Sequence, residues 1–356
     1  MPFNVLFAWS TDGVGGNERR MSEVCSELVS RGFVVKHAIV GGKSDGRLWR
    51  LLSENQAGSV VAVSRHGLIR EARDAAPDVV ITNGLVLSLL GRFMKLVPGP
   101  RFGVIVPRPG LDYGRPSWQF LLDRMTSPLV DFYLTNSSAA SWALEARGIP
   151  SSRIAEIPSA LPMHWFSNVA DFAPRRVIGM VGNSRPEKNH EFGLRVFFAA
   201  VGPRELHVFT DNSTELQALE KRLRSGVSSD KVVRYFIDKV LAPDDFDSMR
   251  VLLHPSLSES LPRVVLEAQA RGVRVLASDV GSTPSWVANG MCLPPTGVNE
   301  WADGLDRLYE RPRLDLRRGA CEPISVSSYT DRLIQVLERS RERAASRGLG
   351  LLDQCD

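Results

Sequence analysis

Short runs of β-branched and apolar residues alternate along the chain with longer stretches whose apolar positions recur every three or four residues. That is the pattern of parallel strands joined by helices covering both sheet faces. Strands are expected at NVLFAW (4–9), FVVKHAIV (33–40), SVVAV (59–63), DVVIT (78–82), FGVIV (102–106) and DFYLT (131–135). A second set follows at VIGMVG (177–182), ELHVFT (205–210), VVRYF (232–236), VLLH (251–254) and VRVLAS (273–278). The intervening PSALPMHWFSNVADFAPRR (158–176) is rich in proline and turn formers and reads as a hinge. A chain of 356 residues, 43% hydrophobic, exceeds one comfortable core. The expected fold is therefore α/β, with two doubly wound Rossmann-like domains over 1–160 and 161–327. One last helix is expected at about Ser328 to Ala345 within a final segment 328–356, with Leu333, Val336 and Leu337 on one face.

Composition narrows the compartment more than the chemistry. Cys25, Cys292, Cys321 and Cys355 form no close pair and no metal-ligand spacing, which fits a reducing cytoplasm and no structural metal. The opening MPFNVLFAWSTDG lacks the basic start and long apolar run of a secretory signal, and no stretch approaches the roughly 18 apolar residues of a spanning helix. The net charge is +4, but residues 91–130 alone hold Arg92, Lys95, Arg101, Arg108, Arg115 and Arg124 against Asp112 and Asp123. Such a patch could meet anionic lipid headgroups, a phosphorylated acceptor or nucleic acid, or be a solvated face. The overlapping LVLSLLGRFMKLV (85–97) could lie on a membrane surface or be a buried helix.

Two facing domains of this class bind ligand at the carboxyl ends of their strands, so the loops there carry the chemistry. After the first strand, TDGVGGNERR offers Gly13, Gly15 and Gly16 at a helix start, where backbone can approach an anion; the same glycines could serve turn geometry alone. A dinucleotide fingerprint is disfavoured because Glu18 takes the third glycine place. In the second half, VIGMVGNSRPEKNHEFGL delivers Asn183, Arg185 and Lys188 just beyond a strand, where cations can neutralise a diphosphate leaving group. Further on, HPSLSESLPRVVLEAQARG places Glu259 in a loop and Glu267 in a helix running from near Pro262 to Gly272. Glu259 can accept from sugar hydroxyls, Glu267 from ribose hydroxyls, and the amides of Leu261 and Arg263 can meet phosphate oxygens. His254, in the apolar VLLHP run, reads as a satisfied core residue.

The segment PSLSESLPRVVLEAQARGVRVLASDVGSTP resembles the donor-site signature of retaining glycosyltransferases of the two-domain GT-B type, family four, with its Glu-x7-Glu pair at Glu259 and Glu267. The resemblance extends to GGNERR, to SSAASWALEARGIPSSRIAEIPSAL (137–161) and to VGNSRPEKNHEFGL. It implies two domains facing a cleft, with the final helix crossing back to the amino-terminal domain. It also implies that Gly16 contacts the donor diphosphate or sugar, Lys188 the diphosphate, Glu259 the transferred sugar and Glu267 the ribose. Three departures stand out. Asn183 occupies the family's usual arginine place, Ser285 replaces a common glutamate, and the loop after the fifth strand offers Arg108 and Asp112 where relatives carry a histidine.

What the resemblance implies is transfer of a sugar from a nucleotide-sugar donor with retention and without metal or cofactor, the leaving diphosphate being stabilised electrostatically. Lys188, Arg185 and Glu259 are the expected catalytic residues, with Arg108 and Asp112 on the acceptor side. The expected acceptor is a lipid-linked or cell-envelope glycan, or a small molecule, with peripheral membrane contact through the basic amino-terminal patch. Competing expectations are a tailoring enzyme acting on a natural product or nucleic acid, and a non-catalytic nucleotide-sugar-binding protein.

Overall fold

A computed structural model describes residues 2–10, 13–97, 101–111, 114–166, 176–224, 230–311 and 324–349. The chain forms two compact units: Met1–Pro162 with Ile324–Asp356, and Met163–Pro323. The sequence-based boundaries at 160/161 and 327/328 fall beside these.

Among the described residues of the first unit, seven parallel strands build one sheet: β1 (Asn4–Trp9), β2 (Val34–Val40), β3 (Ser59–Val63), β4 (Val79–Asn83), β5 (Gly103–Pro107), β6 (Phe132–Thr135) and β7 (Ile154–Glu156), in the order β3-β2-β1-β4-β5-β6-β7. Helices α1 (Gly16–Ser30), α2 (Arg47–Glu54), α3 (Arg65–Asp74), α4 (Leu85–Met94), α5 (Ser117–Thr126) and α6 (Ser138–Glu145) follow the first six strands in turn. Alternation along β1 sends Val5, Phe7 and Trp9 into one core and Leu6 and Ala8 into another, as a sheet covered on both faces requires.

The chain then forms the short β8 (Ala160–Leu161) and, in the second unit, β9 (Val177–Val181), β10 (Glu205–Thr210), β11 (Val232–Ile237), β12 (Met249–His254), β13 (Arg274–Ser278) and β14 (Gly290–Leu293). Their order is β11-β10-β9-β12-β13-β14, again all parallel. Helices α7 (His190–Ala199), α8 (Thr214–Arg224), α9 (Pro243–Asp247), α10 (Arg263–Ala270), α11 (Thr283–Trp286) and α12 (Val298–Glu310) complete this unit, around a core including Ile178, Met180, Phe197, Leu253 and Trp301.

Both sheets reverse direction beside their first strand, between β1 and β4 and between β9 and β12. Such a reversal splays the outgoing loops and opens a crevice at the carboxyl ends.

The chain returns to the first unit through β15 (Ile324–Ser325), which pairs with β8, and α13 (Val326–Leu349). The expected helix is thus present and longer than its sequence bounds. Tyr329, Leu333, Val336 and Leu337 enter the same core as Phe7, Leu28 and Phe132, each such burial contributing about 1.5–3 kcal/mol. Gly103 permits the contact with β5: a Cβ there would lie 2.8 Å from the Ser340 carbonyl oxygen.

The strands absent from the sequence reading are β7, β8, β14 and β15, of three, two, four and two residues. Segments this short carry too few side chains to display a period. Within the expected hinge, β8 and a 3-10 turn at Met163–Trp165 are ordered.

Candidate functional site

The second unit's reversal point gathers the expected donor residues. After β9 the chain passes Gly182, Asn183, Ser184 and Arg185, makes a 3-10 turn at Pro186–Lys188, and enters α7 through Asn189, whose φ of 52° is left-handed. After β12 it passes Pro255 to Ser260 and enters α10 behind its N-cap Pro262. The two loops are tied together: Leu257 N donates to Glu187 O at 2.7 Å and Asn189 Nδ2 to Pro255 O at 3.1 Å. Residues 71 positions apart then meet, Lys188 Nζ donating to Glu259 Oε1 at 2.5 Å.

The same oxygen of Glu259 lies 3.1 Å from His254 Nε2. A carboxylate only accepts, so Nε2 carries the hydrogen, and the Ser256 hydroxyl stands 3.3 Å from that nitrogen. Glu259 Oε2 has no partner among the described residues. One oxygen is anchored and the other is presented. Burial pushes the Glu259 carboxyl up, but the His254 hydrogen bond and the Lys188 charge outweigh it and bring its pKa down to about 2. The group is an anion at any physiological pH.

His254 is buried, as expected of the VLLHP run, yet its partner is the site carboxylate rather than the core. The sequence reading missed this role. The signal available was spacing, since a residue at a strand's last position can face one five further along the outgoing loop. His190 at the start of α7 is also buried, and burial first, then the neighbouring His254 and Lys188, lower its pKa to about 4. Packing at Gly182 is tight: a Cβ there would stand 3.0 Å from His190 Nε2 and 3.2 Å from Lys188 Cγ, so either side chain would have to give by a few tenths of an ångström. Asp211, after β10, is another residue missed; its Oδ1 accepts from Ser184 N at 2.6 Å and pins the loop.

The remaining second-unit candidates are placed unequally. Arg185 is 70% exposed, 3.9 Å from Glu187. Asn183 buries an Oδ1 that has no hydrogen-bond partner among the described residues. Leu261 is buried, Arg263 opens α10, and Arg263 Nε donates to Glu267 Oε1 at 2.9 Å within that helix.

Gly15, Gly16 and Arg108 belong to the other unit. Gly15 caps α1, but its amide already donates to Glu18 Oε2 at 3.0 Å, so a resident carboxylate sits at the helix terminus expected to face an anion. Asp112 lies outside the described residues. Arg108 is buried and paired with Asp123, which also takes Arg92 and lies 3.6 Å from Arg115. Lys95 donates to Asp131 at 2.5 Å. The expected basic surface patch is thereby corrected: four of its six cations point inward to carboxylates, and only Arg101 and Arg124 are exposed. Side-chain burial is set by packing and is invisible to a charge count.

Residues 175–311 match the family Glycosyl transferases group 1. D-inositol 3-phosphate glycosyltransferase of Saccharomonospora viridis is 38% identical over 109 residues, 28% of this chain and 25% of that protein. The protein of the same description from Mycobacteroides abscessus is 29% identical over 180 residues, 47% of this chain and 40% of that one. This chain thus spans less than half the length of these curated relatives. The crystal structure of Anabaena HepE in complex with UDP and glucose superposes with a TM-score of 0.78 at 16% identity, over 94% of this chain and 99% of that one. With two Rossmann-like units the chain has the GT-B fold, and the stretch that matches the group 1 glycosyl transferases, residues 175–311, contains both Lys188 and Glu259.

Proposed function

We propose that the protein is a retaining glycosyltransferase that moves a sugar from a nucleotide-sugar donor to a hydroxyl of a lipid-linked or cell-envelope glycan, with no metal or cofactor. The observation carrying this reading is the meeting of Lys188 and Glu259 at the reversal point of the second sheet, with one carboxylate oxygen held and the other presented. The family match over that region supports it, as does the fold shared with a protein crystallised with UDP and glucose.

In this mechanism the sugar's hydroxyls donate to Glu259 Oε2, fixing the ring while the anomeric bond breaks. The departing diphosphate competes for the Lys188 ammonium and is met by the amides opening α10 and by Arg185, whose exposed side chain is free to swing. Glu267 accepts from the ribose, and the leaving phosphate oxygen receives the acceptor's proton on the face where the new bond forms. Asn183 in the usual arginine place leaves Lys188 and Arg185 as the cations of that loop. A second acceptor class, a small phosphorylated polyol, is favoured by the D-inositol 3-phosphate glycosyltransferases among the relatives.

The test is a thermal-shift screen of nucleotide sugars, followed by measurement of nucleoside diphosphate released on adding glycan-lipid or polyol phosphate acceptors. At least one donor should stabilise the protein, and Glu259→Ala should abolish release with the fold intact. If no donor binds, or Glu259→Ala turns over normally, the reading is wrong.

A further inference from the structure

Helix α4 packs Leu87, Leu90 and Met94 against the core, yet its solvent side carries no charged side chain. Its polar side chains Ser88 and Arg92 are fully buried, Arg92 bonded to Asp123 and Thr126 on α5. Its outer stripe is instead Val86 and Phe93, continued by Val97 just beyond the helix end. On the adjoining α5, Trp118, Leu121 and Met125 recur at one-turn spacing on the face opposite buried Asp123. These six residues are each between 47% and 69% exposed. An isolated exposed apolar side chain is ordinary, but two neighbouring helices turning out apolar stripes, one while burying its arginine, mark an interaction face.

Charge and composition indicate what covers it. Between residues 85 and 130 the only carboxylates in the sequence are Asp112 and Asp123. Asp123 is consumed inside by arginines, and Asp112 lies outside the described residues, whereas Arg101 and Arg124 are exposed. An aromatic and aliphatic face with exposed Arg124 beside Met125, in a stretch whose other exposed charge among the described residues is Arg101, matches the interfacial layer of an anionic bilayer, where a tryptophan ring sits among headgroups and arginines meet lipid phosphates.

We infer that the outer face of α4 and α5 docks the protein on anionic lipid surfaces, with Phe93, Trp118, Leu121 and Met125 entering the headgroup boundary. This replaces the basic patch expected from sequence with an apolar one, and it deepens the lipid-linked acceptor reading by naming the surface that brings the enzyme to its acceptor. The docking stands apart from the chemistry.

The experiment is flotation of the full chain with phosphatidylcholine vesicles containing none or about 30% phosphatidylglycerol. The wild type should float with the anionic vesicles, less so at high salt. Leu121→Ser with Met125→Ser should lower the bound fraction about tenfold or more, whereas Val240→Ser, an exposed apolar residue of the other unit, should leave it unchanged. Circular dichroism and melting of the variants verify that loss of binding is not loss of fold. Failure of the wild type to float, or equal flotation of the double variant, overturns the inference. So does light scattering that finds a dimer dissolved by the same pair with no lipid bound. Nucleoside diphosphate release with a soluble acceptor separates the two readings: a protein that floats but never turns over keeps the docking face and loses the glycosyl-transfer reading.

Discussion

The geometry of the candidate site turns on a single oxygen atom. Glu259 Oε1 takes both Lys188 and His254, so the carboxylate plane is fixed before any sugar arrives, at a group already ionised. Lys188→Ala should lower kcat by about 10²–10³, the loss expected on removing one charge-stabilising donor, measured as diphosphate release under saturating donor. His254 is a positioning residue, and its signature is a split in kinetic constants. His254→Ala should cut kcat about tenfold or more with a smaller rise in donor KM, and His254→Gln, which retains an N–H donor, should recover most of the loss. Equal losses in both variants, or an effect on stability alone, would count against that role. Sequence motifs singled out Lys188 and Glu259, which the fold brings into contact, because a cation after one strand and a carboxylate after another recur in family patterns. They did not identify His254 or Asp211, whose partners are set by which strands are neighbours.

Elements were legible in proportion to their length. Strand β1 was bounded correctly because a parallel strand buried on both faces reads as an unbroken apolar run, here from Val5 to Trp9. The two-residue β8 and β15 exist only because α13 brings their backbones together. That helix depends on close approach to β5, so Gly103→Val should destabilise the first unit by about 1–3 kcal/mol, visible in denaturant titration as an earlier transition of that unit. For α4 the apolar period was readable but not its direction. The pattern of LVLSLLGRFMKLV is the same whether Arg92 faces solvent or Asp123, and only the position of α5 decides.

At the scale of the molecule, both units bury a histidine kept neutral. His37 accepts from Trp9 Nε1 at Nδ1, 3.1 Å away, while its Nε2 donates to Ala57 O at 2.9 Å, so a second proton would face an existing donor. Burial lowers His37 to about 4, as it does His190. Both titrate lower in the folded protein than in the unfolded chain. Below pH about 6.5 the unfolded chain therefore takes up protons the folded protein refuses, and stability should fall until about pH 4, by up to about 3 kcal/mol for each histidine. Urea titrations across that window check it, and His37→Gln should flatten the loss in the first unit. Glu259 acts in a lower window: its contribution is present above about pH 4.5 and disappears as pH falls through about 2. The sequence by itself determined the α/β class, the two-unit division and the loops that carry the site, because period, turn chemistry and the order of motifs are properties of neighbouring residues. Tertiary structure alone decided which charges are spent inside, which carboxylate oxygen is left to bind, and which helix face meets the surroundings. Those depend on contacts between residues tens of positions apart, and a one-dimensional pattern does not encode distance.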